Sequence, residues 1–318
     1  VFSEPTGTVL LFDGGGETAL AVHLDTSSRR RVPLDGQRAG DQPFRLWQLD
    51  GEVVVGWGEV YAVTPADGSS RHLASATVFL PAAAPGQLWL VADAGAAATW
   101  TLIDTSGEML HRVEMPVGGL DPVRGLPGGL AVRTPSGGLV RYDMETQQLT
   151  DISGEPGTWI GDVTPDGFAW CPTDPCERLH ITDVGGTPRT GFPGAGAAFF
   201  PGSVWLSPDG SHLAAVVRVD GGDAVDFRLR VYDVNQSQLR ADAQTILGSA
   251  YGQWTDDGEQ FFSWVNAPGG RDAPVVLSRW AGGEDIEQVD VGELGITGVY
   301  SFVALPEASV EGLFDVEG

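Results

Sequence analysis

The sequence contains no lysine: all 18 basic residues among its 318 are arginines. That absence excludes Schiff-base chemistry, lysine-dependent phosphate loops and any lysine general base. Positive charge is scarce altogether. Against 43 Asp and Glu, the 18 arginines leave a formal net charge of −25 and a pI near 4.3. Such a surface repels phosphate backbones, so nucleic acid is not expected as a partner. Cysteine is limited to two residues, and the five histidines (His23, His72, His111, His180, His212) fall in no HxH or HExxH spacing. No metal ligand set is therefore expected from them, since a zinc site needs further ligands. No GxSxG occurs, which removes the nucleophile elbow of a serine hydrolase. No apolar run approaches the ~18 residues of a membrane span, so no transmembrane segment is expected in this chain.

What the sequence has in quantity is turn formers and apolar residues: 45 Gly, 21 Pro and 42% hydrophobics, with only 19% charged. It is too apolar for intrinsic disorder and too rich in Gly and Pro for a helical bundle. No apolar 3.6-residue period persists for three turns, which points to an all-β chain. Cys171 and Cys176, in CPTDPC, flank turn sequence. A local disulfide is expected there, and with it an oxidising compartment. The sequence starts at Val1 without a signal-like segment, which fits a mature secreted protein or an ectodomain. Arginine-only basic usage with abundant Ala and Gly suits high-GC bacterial coding. The expected location is extracytoplasmic: secreted, cell-surface, or the ectodomain of a membrane-anchored protein.

Periodicity sets the fold class. A short apolar strand, a tight turn and a second apolar strand recur, most clearly in VTPDGFAW (Val163 to Trp170), LSPDGSHLAAVV (Leu206 to Val217) and WTDDGEQFFSWV (Trp254 to Val265). Weaker copies start near Glu4, Gln48, Ala84 and Leu126, and successive turns lie 36 to 48 residues apart. Pro-Asp-Gly suits such turns, because Pro presets φ and Asp bonds its own turn. In phase with five of the seven hairpins, an apolar strand ends in an aspartate: Asp25, Asp104, Asp143, Asp183 and Asp233; the second copy (YAVTPADG) and the last (LSRWAGG) lack it. These are expected to brace Asx-turns rather than to act chemically. Four short strands per unit, repeated seven times, predict a seven-bladed β-propeller of four-stranded antiparallel blades. Blades are expected at 1–37 with 298–306, then 43–74, 75–118, 121–154, 157–194, 202–248 and 250–293, in one domain with 307–318 as a C-terminal tail. GVYSFVALP, from Gly298 to Pro306, reads as an innermost strand that closes the chain by pairing into the first blade.

The PDG hairpins carry a resemblance. SPDGSHLAAVV and WTDDGEQFFSWV look like the WSPDG repeat of TolB-type and related WD-like bacterial propellers, and the strands ending in YD are similar to those of YVTN- and quinoprotein-type propellers. The resemblance implies architecture. Such propellers serve as scaffolds, receptor ectodomains, accessory domains of peptidases, lactonases and lyases, so it selects no function.

Candidate chemistry is sparse. On the innermost strands Arg45, Arg124, Asp162, Tyr251, Gln253 and Tyr300 are expected to line a channel or its entrance. An Arg–carboxylate pair there would bind an acidic or sugar ligand, whereas the plainer reading is the polar lining of a wet channel. Asp220, Asp223 and Asp226, in DGGDAVD, form the tightest acidic cluster. They offer a loop calcium site or a solvated loop tip, and they lack the spacing of an EF-hand. Otherwise no cofactor is expected. Trp57 and Trp280 sit at strand ends and are candidate exposed contacts, and Arg29, Arg30 and Arg31 are a solvated edge strand or an anchor for an acidic partner. The function expected is a non-catalytic interaction module binding a protein or surface glycan. The face formed by the loops entering each innermost strand and the loops between second and third strands, including Gly221–Asp226 and Ala267–Ala273, is the expected docking surface. The alternative is a propeller lyase or hydrolase acting on a carbohydrate or lactone at the channel mouth.

Overall fold

The computed structural model describes residues 2–13, 18–33, 45–49, 51–93, 97–116, 119–152, 159–193, 197–220, 225–245, 249–266, 275–290 and 301–314. The chain divides into two compact units, Val1–Val117 with Glu293–Gly318, and Gly118–Gly292.

In the first unit, β1 (Thr8–Asp13), β2 (Thr18–His23) and β3 (Arg29–Pro33) form a sheet with β27 (Ser301–Pro306), in the order β27-β1-β2-β3. Pairing runs from Thr8↔Pro306 to Asp13↔Ser301, so the late strand completes the first blade. The second blade is β4 (Arg45–Leu49), β5 (Glu52–Val63) and β6 (Ser70–Ala76). Its β5 serves twice: the stretch from Glu52 to Gly56 pairs with β4, and that from Gly58 to Val63 with β6. The chain doubles back between them, since a Cβ on Gly56 would stand 2.2 Å from the Glu59 carbonyl oxygen and Gly58 has φ 84°. The third blade is β7 (Val78–Pro81), β8 (Gln87–Asp93), β9 (Ala97–Asp104) and β10 (Met109–Pro116).

The second unit holds four more sheets, each in chain order. They are β11 (Asp121–Leu126), β12 (Gly129–Arg133), β13 (Leu139–Asp143) and β14 (Gln148–Asp151); then β15 (Trp159–Val163), β16 (Gly167–Cys171), β17 (Arg178–Asp183) and β18 (Pro188–Pro193). β19 (Ala197–Leu206), β20 (His212–Asp220), β21 (Val225–Asp233) and β22 (Gln238–Thr245) follow, and β23 (Ser249–Trp254), β24 (Phe261–Asn266), β25 (Val275–Trp280) and β26 (Glu287–Asp290) end the series. Seven four-stranded antiparallel blades with almost no helix make a β-propeller, as the repeat predicts.

Alternation of side chains along each strand supplies apolar residues to both faces of a sheet. The cores accordingly lie between neighbouring blades of a unit. Val9, Leu11 and Val303 of the first blade meet Val53 and Val55 of the second, and Leu49 and Val54 meet Phe79, Leu88 and Leu90 of the third. In the second unit, Ala169 and Ile181 meet Val204, Leu213 and Val217, and Ala214 and Val231 meet Trp254 and Phe261. Each fully buried Leu, Val or Phe contributes about 1.5–3 kcal/mol.

The turns behave largely as their residues dictate. Asp209 Oδ1 accepts the Ser211 N–H (3.0 Å) and the Ser207 hydroxyl (2.6 Å), and Asp257 does the same with Glu259 and Thr255. Asp104, Asp143, Asp183 and Asp233 each accept backbone N–H groups of their own turns, at 2.7–2.9 Å. Asp25 differs. It accepts from the N–H groups of Thr6 and Gly7, and so ties the end of the first blade's third strand to the residues before β1.

Cys171 and Cys176 are buried and joined, with an S–S distance of 2.20 Å and Cα atoms 5.7 Å apart. Cys176 also bridges to Phe199 in the next blade. Among the described residues no helix is long and apolar enough to cross a membrane.

Several expectations need correction. The sixth blade opens at Ala197 rather than at 202, because β19 continues across a register shift between Phe199 and Val204 while still pairing with β20. Ser75 and Ala76 belong to β6 of the second blade. In the sixth blade, where a long insertion is expected between the second and third strands, β20 and β21 pair as far as Asp220↔Val225; residues 221–224 lie outside the described residues. Beyond β27 the chain does not trail away: a 3₁₀ turn (Glu307–Val310) follows, and Val310 and Leu313 enter the core of the first unit. Trp280 is only 2% exposed, packed against Trp254 with ring centroids 5.7 Å apart, and is a core residue rather than a contact. The Trp57 side chain lies outside the described residues.

Candidate functional site

The polar residues that stand out electrostatically lie on the inner strands of the second unit. β11 and β15 each carry a register irregularity, between Pro122 and Arg124 and between Ile160 and Asp162. A bulge of this kind re-aims the side chain that follows it. Arg124 and Asp162 are those residues, and Asp256, in the turn between β23 and β24, adds a second carboxylate within range of Arg124. The three gather toward the end of the inner strands that carries the PDG turns.

Asp162 is anchored at both oxygens. Oδ1 accepts the Val163 N–H and Oδ2 the Leu206 N–H, each at 2.8 Å, so this carboxylate joins the fifth blade to the end of β19 in the sixth. Burial nevertheless pushes its pKa up from 3.8 to about 6, against the opposing pull of Arg124 and the two N–H donors. Burial likewise raises Asp256, assisted by repulsion from Asp257 and resisted by Arg124. Arg124 keeps part of its surface accessible, yet it is so surrounded by protein that desolvation lowers its pKa more than Asp162 and Asp256 restore it. The group is a desolvated cation shared by two carboxylic groups, one of them near neutrality.

A pH dependence follows. The folded Asp162 retains its proton after the unfolded chain has lost it, so the associated stability is full below the ordinary carboxylate value and drains away as pH rises through about 6. Relative to Asp162→Asn, the wild-type chain is expected to lose about 2 kcal/mol between about pH 4 and pH 7. Urea unfolding of both proteins at the two pH values measures this. An identical difference at both would show that Asp162 does not titrate in that window.

The other candidates are more dispersed. Tyr251 and Gln253 lie on β23 opposite Trp264 and Phe262, on the face away from Gly252 and Trp254. Arg45 opens β4 in the first unit, opposite Gly56; its side chain and the whole of Tyr300 lie outside the described residues. Asp226 is paired opposite Val219 and is bonded to Arg228 (3.4 Å) and to the Gln244 amide (3.1 Å). That commits it to an ion-pair ladder in which Arg228 also holds Asp242 at 2.6 Å. Asp223 and the Asp220 side chain are not among the described residues, nor are most of the Gly221–Asp226 and Ala267–Ala273 loops. Of the arginine run, Arg30 donates to the Leu313 carbonyl, so one member ties the C-terminal segment to β3.

No protein-family model matches the chain, and no curated protein matches it in sequence. Solved structures do match. An acylaminoacyl peptidase from Pyrococcus horikoshii is 11% identical with a TM-score of 0.58, over 89% of this chain but 51% of its own length. A eukaryotic initiation factor is 9% identical with a TM-score of 0.51, over 94% of this chain and 99% of its own. A dihydro-heme d1 dehydrogenase is 10% identical with a TM-score of 0.51, over 98% of this chain and 77% of its own. The chain has the seven-bladed β-propeller fold. At these identities the likeness carries the fold alone, and the neighbours include WD-repeat-like and peptidase propellers, so it selects no activity.

Proposed function

We propose that this chain is a non-catalytic interaction module: an extracytoplasmic bacterial propeller of the TolB-like kind that holds a protein or surface-glycan partner on one face. The observation that carries this reading is the state of Asp162. Burial pushes its pKa up to about 6, and backbone N–H groups occupy both of its oxygens, as in a joint between blades. The buried disulfide supports an oxidising compartment. Net charge −25 would steer a partner presenting Arg or Lys, and propellers commonly bind proteins through broad rigid faces.

The lyase or hydrolase reading draws on the same group, since an acid held near pH 6 beside Arg124 is suited to proton transfer. Incubating the whole chain with aryl glycosides, lactones and uronate-containing polysaccharides separates the two. The interaction module gives no turnover above the blank. Turnover that disappears in both Asp162→Asn and Arg124→Gln would establish the enzyme instead.

A further inference from the structure

The first unit brings a distant glutamate beside a His and an Asp that are neighbours in sequence, a mixed set of metal-ligating side chains. His23 ends β2, Asp25 lies two residues on, and Glu307 begins the 3₁₀ turn after β27. One ligand atom from each lies within 4.8 Å of the others, and His23 Nε2 stands 3.2 Å from Glu307 Oε1. His23 and Glu307 border a cavity of about 520 Å³ whose lining also includes Thr26, Ser28, Val310 and Phe314.

Backbone contacts hold the set together. The Glu307 N–H donates to the Gly7 carbonyl at 2.9 Å, and the Gly7 N–H donates to Asp25 Oδ2 at 3.3 Å. Among the described residues Asp25 Oδ2 accepts that one long bond, and a carboxylate oxygen has lone-pair capacity for a further partner. His23 is 12% exposed and packs edge-on against Phe314, with centroids 5.5 Å apart. Nε2 is the ring nitrogen that faces Glu307, so it is the atom placed to ligate an ion shared with that carboxylate, with the ring proton on Nδ1.

We propose that His23, Asp25 and Glu307 form a binding site for one divalent cation of the zinc class. One imidazole and two carboxylates supply two negative charges and a borderline nitrogen ligand. That donor set favours zinc over calcium or magnesium, which prefer oxygen alone. Zinc bonds of about 2.0–2.2 Å require the ligands to close slightly from their present spacing. Glu307, whose side chain is 60% exposed, is free to make that movement. The cavity supplies room for water in the remaining positions. The bound ion would fasten the segment after β27 to the end of β2, and so secure the pairing that completes the first blade.

The test is calorimetric titration of the chelator-treated full chain with Zn²⁺, followed by thermal unfolding with and without the ion. One saturable equivalent is expected, with a higher melting temperature in zinc. Glu307→Gln and His23→Gln are each expected to weaken binding by at least about tenfold and to abolish the thermal gain. Glu307→Gln alters an exposed side chain and decides the matter if His23→Gln fails to fold. Three results overturn the proposal: no saturable equivalent, undiminished affinity in Glu307→Gln (zinc held elsewhere), or Ca²⁺ competing on equal terms.

Discussion

Gly252→Val is expected to destabilise the protein by about 3 kcal/mol, with the urea midpoint falling and the m-value nearly unchanged. Gly252 sits in the middle of β23, paired with Ser263, and Trp205 of the preceding blade lies directly over it. A Cβ added there would stand 2.5 Å from two atoms of the Trp205 ring and 2.7 Å from the tip of Phe261. Neither ring can yield freely. Trp205 packs against Phe261 at 5.4 Å, and the Trp254 indole N–H donates to the Trp205 carbonyl at 3.1 Å, joining the same two blades. The missing side chain is what lets two adjacent blades approach. Gly283 is the control: its nearest neighbour to an added Cβ is the Asp285 nitrogen at 3.9 Å. Gly283→Ala should therefore change stability by no more than about 0.5 kcal/mol. Comparable losses at the two positions would refute the close-approach explanation.

Gly252 also shows what a single sequence conveys. Blade number and strand order were legible because they are written in local signals: the alternation of apolar residues, the PDG turns, and the aspartates that brace them. The degenerate second blade is visible as a unit in the sequence, but its outer strand runs on to Ala76 and its second and third strands run together in β5 around Gly58. Position within a packed core was less legible. Trp280, beside small neighbours in SRWAGG, resembles an exposed contact in sequence, and only the fold sets it against Trp254 and His212. The candidate site was half legible. Arg124 and Asp162 stand out as polar residues on apolar inner strands, but Asp256 looks like any turn aspartate until burial raises its pKa. The bonds from Asp162 to Val163 and Leu206 depend on the next blade and have no local signature. The His23–Asp25–Glu307 group was least accessible of all. The HLD of VHLDTSS was visible, but Glu307 reaches it only because β27 pairs with β1.

Leu305→Ala tests that pairing and is expected to cost about 3–4 kcal/mol. Leu305 is fully buried and stands opposite Val9 in the β27–β1 ladder. It shares a core with Leu11, Val53, Val303, Val310 and Leu313, so its side chain touches the first blade, the second blade and the segment that follows β27. Truncation leaves a cavity bounded by strands whose hydrogen bonds run in register from Thr8 to Asp13, and such a frame cannot collapse to fill it. That places the expected loss in the middle of the Leu→Ala range of about 2–5 kcal/mol rather than at its foot. Ala308→Ser, three residues on and exposed, should leave stability within about 0.5 kcal/mol. Urea unfolding monitored by tryptophan fluorescence and far-UV circular dichroism compares the two. A loss below about 1 kcal/mol for Leu305→Ala would mean that β27 rests on the first blade as an accessory, whereas the larger loss identifies it as that blade's innermost structural strand.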